Sequence, residues 1–178
     1  MIFGVKMTNL STGVPEKTAT YEILPLHKFL RELKSQRIVY LGESHFNTDH
    51  NANALSLFNH LQEVPFAVAF EDLTRQEEID LLAKGQLTEG GFLSINEHFC
   101  YVDLLKRALQ ISNAYAIGSE KNSNKQMGFN LVKIIQEQEI TLPILTITGF
   151  SHLVSDTKIP IPKFVENGLG LKLSLIHI

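Results

Sequence analysis

Four residues able to do chemistry stand just past apolar runs of the chain. They are Glu43 and His45 in Gly42-Glu43-Ser44-His45, Glu71 in Phe70-Glu71-Asp72, and His152 in Gly149-Phe150-Ser151-His152. Two carboxylates and two imidazoles brought to one point are a donor set for a divalent ion, which would lower the pKa of a bound water. The same groups without an ion could draw a proton from water as general bases. Each also has a plainer reading. A glycine after a strand serves a turn, Glu43 suits the start of a following helix, and a single histidine is more often structural than a ligand. Glu71 is the hardest to set aside, because a carboxylate ending an apolar strand needs a partner.

Other chemistries find less support. Gly42-x-Ser44 and Gly149-x-Ser151 begin a nucleophile elbow, but Phe46 and Leu153 stand where its closing glycine belongs. The chain has no P-loop, no H-E-x-x-H and no cysteine spacing for zinc. Asp49, His50 and Glu120 lie near the candidate positions without an assigned role. His27, His60 and His98 fall in helical patterns and read as ordinary. The single cysteine, Cys100, excludes an internal disulfide and reads as a small buried hydrophobe.

The positions gain meaning from the elements that would carry them. Arg37–Leu41, Phe66–Phe70, Ala114–Ile117 and Pro143–Ile147 are short apolar or β-branched runs closed by glycine or polar residues, and read as strands. Between them lie helical patterns: Pro25–Ser35, Thr48–Gln62, a stretch from Thr74 to Gly85, His98–Ser112, and a stretch opening at Ser123. Thr74-x-x-Glu77 and Ser123-x-x-Gln126 have the form of capping boxes. Leu169–Leu173 reads as a fifth strand. This alternation predicts a single α/β domain with a largely parallel β-sheet covered by helices on both faces. All strand carboxyl ends of such a sheet share one edge, where ligands bind. The candidate residues should therefore line one pocket.

The chain of 178 residues, 44% hydrophobic and 20% charged, is long enough for a self-sufficient core. Its net charge of −3 gives no case for nucleic acid. No apolar run approaches the roughly 18 residues of a membrane span, and neither a signal peptide nor a lipobox is seen. The expectation is a cytoplasmic protein as written, or an envelope-associated one if a native leader is missing. Residues 1–20 read as a loose lead-in and 21–172 as the domain. The last six residues, 173–178, read like the translation of a common sequencing adapter on a truncated end, or else as a last strand.

Tyr40-Leu41-Gly42-Glu43-Ser44-His45-Phe46-Asn47-Thr48-Asp49-His50, Phe70-Glu71, Gly149-Phe150-Ser151-His152 and Ile159-Pro160-Ile161-Pro162 together resemble the ChaN-like haem-binding uptake family. That family shares a superfamily with the TraB, Tiki and erythromycin esterase proteins. The resemblance covers roughly residues 21–172, and the chain is shorter than the usual member between Glu71 and Pro143. It implies two readings. In the first, Glu43, His45, Glu71 and His152 form a metal-dependent hydrolytic site. In the second, the protein holds haem or another iron chelate without turnover, through a tyrosine; Tyr101 and Tyr115 are the candidates by position. A degenerate, inactive domain is a third reading. The ligand is a small molecule or haem, and the oligomeric state stays open, a homodimer included.

Overall fold

The computed structural model describes residues 2–8, 20–43, 48–61, 65–87, 99–121, 123–153, 159–170 and 174–177. Its strands are β1 (Ile2–Thr8), β2 (Thr20–Pro25), β3 (Ile38–Glu43), β4 (Ala67–Phe70), β5 (Asn113–Ala116), β6 (Ile144–Gly149) and β7 (Ser174–His177). Its helices are α1 (Leu26–Ser35), α2 (Thr48–His60), α3 (Gln76–Ala83), α4 (Phe99–Ile111), α5 (Asn124–Glu137), α6 (Phe150–Leu153) and α7 (Ile161–Leu169). The strands form one sheet in the order β2-β1-β7-β3-β6-β4-β5. From β7 to β5 all neighbours are parallel, while β1 runs antiparallel to both β2 and β7.

The strand side chains alternate between two cores. Val39, Leu41, Val68, Phe70, Leu145 and Ile147 pack with Phe29, Leu33, Leu57, Phe58, Ile79, Leu104 and Leu105 from the first four helices. Ile38, Tyr40, Ala67, Ala69 and Ile144 face Met127, Leu131, Ile135, Leu153, Ile161 and Val165 from the last three. Both faces are covered, so the strands read as nearly unbroken apolar runs.

The two-sided cover follows from handedness. The path β3→β4→β5 moves outward across the sheet, and the path β5→β6→β7 comes back. Parallel crossovers are right-handed, so reversing direction puts the later helices on the opposite face. The reversal leaves a switch point between neighbours β3 and β6. One chain leaves its carboxyl end for α2 on one face, and the other leaves for α6 on the opposite face.

Several local expectations need correction. Ile2–Thr8 is not a loose lead-in but a strand, paired with β2 across a hairpin and with β7. Its partners, not any sequence period, define it. The segment after α7 was expected as strand 169–173. Leu169 instead ends α7, with Gly170 at φ 67° as its left-handed cap, and the strand is Ser174–His177. Thr74 does not cap α3: the helix is entered through Arg75 without a side-chain cap bond. Ser123 does cap α5, accepting from Gln126 N–H at 3.4 Å.

Candidate functional site

Glu71 follows the last residue of β4, and its position is fixed by its neighbours on β6. Its backbone N–H donates to the Ile147 carbonyl at 3.0 Å, which carries the ladder one residue past the strand. The side chain then turns along the end of β6. One carboxylate oxygen, Oε2, accepts from the Gly149 N–H at 2.7 Å and from the Thr148 hydroxyl. The other, Oε1, lies 3.0 Å from His152 Nε2. Glu71 and His152 are 5% and 8% exposed, so the pair is shielded from water.

His152 sits in α6, the single turn that begins directly after β6. Its Nδ1 is 2.5 Å from Asn124 Oδ1, at the start of α5. The amide of Asn124 donates through Nδ2 to the Ile159 carbonyl at 2.9 Å, which turns Oδ1 toward the imidazole. Nδ1 of His152 therefore carries a proton. Nε2 faces a carboxylate oxygen, so a proton also lies between Nε2 and Oε1, as an imidazolium–carboxylate pair or its neutral equivalent. The result is a buried chain from Thr148 and Gly149 through Glu71, His152 and Asn124 to Ile159. Each group in it satisfies the next, as buried polar groups must be.

A glycine keeps the turn of Glu71 in place. The Gly118 N–H donates to the Leu73 carbonyl at 2.8 Å, and a Cβ at 118 would overlap the Glu71 carbonyl oxygen. Asn130 holds the other side of that contact, donating to the Ile117 and Gly118 carbonyls at 3.1 and 3.0 Å.

Of the four expected residues, the structure brings Glu71 and His152 into direct contact. Glu43 ends β3 in register with Gly149, so its backbone adjoins the same edge at the switch point. His45 lies outside the described residues, as do the side chains of Glu43, Asp49 and His50. Glu120 is exposed on the turn after β5, and Ser151 is exposed on α6. Thr148 and Asn124 were not foreseen. Thr148 was concealed in an apolar run, and Asn124 inside a capping box.

The chemistry open to this arrangement is bounded by its saturation. Both ring nitrogens of His152 are engaged, so as placed the ring has no lone pair for an ion and no free nitrogen to act on water. Among the described residues no three His, Cys, Asp or Glu side chains gather as a metal site. A groove of about 840 Å³ lies elsewhere, along the outer side of β5 between α3 and α5, with Tyr115, Gln76 and Lys133 in its walls.

The chain has four tyrosines: Tyr21, Tyr40, Tyr101 and Tyr115. Tyr40 is fully buried, and burial, with Glu166 nearby, pushes its hydroxyl far up from the ordinary value. A phenolate is therefore strongly disfavoured there. Tyr115 is half-buried in β5, and burial also raises its hydroxyl, against a lowering hydrogen bond from Asn113. Tyr21 belongs to β2, at the far flank of the sheet. Tyr101 occupies the first turn of α4, which leads into parallel strand β5. That helix runs back against its strand, so its first turn stands at the carboxyl edge with Glu43, Glu71 and Gly149.

Residues 29–104 match the family model described as haem-binding uptake, Tiki superfamily, ChaN. The fold matches the solved structure titled "Cofacial heme binding to ChaN of Campylobacter jejuni". The TM-score is 0.58 at 15% identity, covering 98% of this chain and 89% of that one. No curated protein matches the sequence. The family match thus runs from α1 into α4, and the fold of that solved structure is shared along nearly the whole length of this α/β chain.

Proposed function

We propose that this protein binds haem at the carboxyl edge of its sheet, beside the switch point between β3 and β6, with Tyr101 as the iron ligand. The observation that carries the reading is a coincidence of place. The segment matched to the haem-binding uptake family contributes Glu43, Glu71 and Tyr101, and the topology sets the backbones of all three at one edge. Open α/β sheets bind ligands at such a switch point. A tyrosine oxygen is a fitting donor for ferric haem. The buried Glu71–His152 pair holds the ends of β4 and β6 rigid under the site, leaving the ligand to be taken by groups around it.

Haem titration of the wild type, Tyr101→Phe and Tyr115→Phe tests this. The wild type and Tyr115→Phe bind with a visible Soret band, and Tyr101→Phe loses the tyrosinate spectrum. Equal spectra in all three proteins remove Tyr101 from the role.

A second reading, a metal-dependent hydrolase, draws on one further observation. Glu43 pairs with Gly149, whose N–H is bonded to Glu71, so two carboxylate-bearing positions flank one strand end. In that reading Glu43 and His45 bring the ion and Glu71 shares it. Mn²⁺ or Zn²⁺ would then raise the melting temperature of the wild type by mass action, and His45→Ala would abolish the rise. Unchanged melting with either ion sinks it.

A further inference from the structure

The outermost strand of the parallel region, β5, presents one side of its backbone to no further strand among the described residues. Such an edge is a template for strand addition by another chain. The neighbouring groove runs alongside it, between α3 and α5. Onto this edge projects Gln76, the first residue of α3. Its Oε1 accepts the Ala116 N–H at 2.9 Å, and its Nε2 donates to the Ala114 carbonyl at 3.2 Å. The same Nε2 donates to Asp80 Oδ1 at 3.1 Å, one turn along the helix, which fixes which end of the amide faces which group.

The pattern is that of a strand. A residue of a parallel partner donates its N–H to the C=O of one residue and accepts with its own C=O from the N–H of the residue two further on. The side-chain amide of Gln76 makes these two bonds with the same chemical groups. Nothing about a helix start calls for this residue: Gln76 makes no cap bond, and α3 is entered without one. The groove beside it is lined by Glu77, Asp80 and Glu137 against Lys133, so a second copy arriving there would meet charges like its own.

We propose that Gln76 is an edge guard. Its amide stands in for a neighbouring strand on β5 and keeps a second copy of the chain from pairing there. Removing the amide exposes a β5 edge able to pair with β5 of another molecule, most readily at high salt, where the acidic rim is screened.

Two variants of the full chain test it. Gln76→Met keeps length and removes both bonds. Gln76→Glu keeps an acceptor for the Ala116 N–H but loses the donor to Ala114. Unchanged exchange at the Val39 and Leu145 amides of the sheet centre establishes that each variant is folded. In Gln76→Met the Ala116 amide exchanges about 5- to 10-fold faster, the weight of one ordinary hydrogen bond. Sedimentation velocity detects association that rises with protein concentration and with salt. In Gln76→Glu the Ala116 amide stays protected and the mass stays that of the wild type. Asn113→Cys, placed on the exposed edge in a Cys100→Ser background, forms a disulfide dimer with Gln76→Met and not with Gln76. Wild-type exchange at Ala116 and wild-type mass in Gln76→Met overturn the proposal, as does equal disulfide trapping in both backgrounds.

Discussion

Replacing Gly118 by alanine probes how the Glu71 turn is held. The added methyl would overlap the Glu71 carbonyl oxygen and stand 2.7 Å from that of Leu73, both of them backbone atoms that no rotamer change can move aside. The β5 end and the 71–73 turn must therefore separate, straining the Gly118 N–H bond to Leu73 at 2.8 Å and the bond from Ile117 N–H to the Phe70 carbonyl at 3.0 Å. Overpacking of this kind, with a weakened buried hydrogen bond, costs about 2–4 kcal/mol. At roughly 2–4 °C per kcal/mol for a domain of this size, the melting temperature falls by about 5–15 °C. Displacing the turn also pulls Glu71 away from Gly149 and His152, so haem affinity drops along with stability. Differential scanning calorimetry and a Soret titration on the same sample read both effects. A Gly118→Ala protein melting within about 1–2 °C of the wild type would refute the reasoning, since so small a shift leaves no room for the strain.

Further outcomes follow from the buried polar chain and the buried tyrosine. Glu71→Leu strands the Thr148 hydroxyl, the Gly149 N–H and the His152 ring, and costs about 3–5 kcal/mol in urea unfolding. Glu71→Gln keeps an oxygen for Gly149 and an N–H for a neutral His152, and loses less than half as much; equal losses would mean that the network is not what Glu71 supplies. Asn124→Ala releases both His152 Nδ1 and the Ile159 carbonyl and costs about 1.5–3 kcal/mol, read by the same unfolding curves. Wild-type stability in Asn124→Ala would place Asn124 outside the network. The Tyr40 hydroxyl is raised by burial in the folded state, and its oxygen has no hydrogen-bond partner among the described residues. Its contribution is thus fully present below the unfolded value near pH 10 and is lost above it, at about 1.4 kcal/mol per pH unit. Tyr40→Phe removes that part of the alkaline slope at little cost near neutral pH; an unchanged slope argues against the buried phenol as its source.

Much of the sheet was legible because strands buried on both faces leave apolar runs of fixed length. Ile38–Glu43, Ala67–Phe70 and Ile144–Gly149 all fall on such runs. The pairing that places them was not legible. Nothing in the sequence says that β6 inserts between β3 and β4, yet that insertion is what joins Glu71 to Gly149 and His152. Ile2–Thr8 escaped notice because Gly4 and Lys6 break any apolar pattern, and its order comes from hairpin pairing with β2. Residue types drew attention to Glu71 and His152, since a carboxylate at the end of a core strand must find a donor. They also suggested metal ligation, which the saturated ring of His152 does not favour. Thr148 and Asn124 carried no signal of their own, because a hydroxyl within a strand and an amide at a helix start have ordinary uses. Gln76 is the converse case: a position in an expected capping box whose side chain serves a strand instead.

The most direct test of haem binding at the sheet's carboxyl edge is a map of paramagnetic broadening on the ¹⁵N-labelled protein with ferric haem added stepwise. The account predicts that the amides of Gly42, Glu71, Gly149 and the first turn of α4 broaden first, while those lining the groove, from Gln76 to Ala83 and from Lys133 to Gln138, stay sharp. Broadening centred on the groove, with the edge amides untouched, would contradict it.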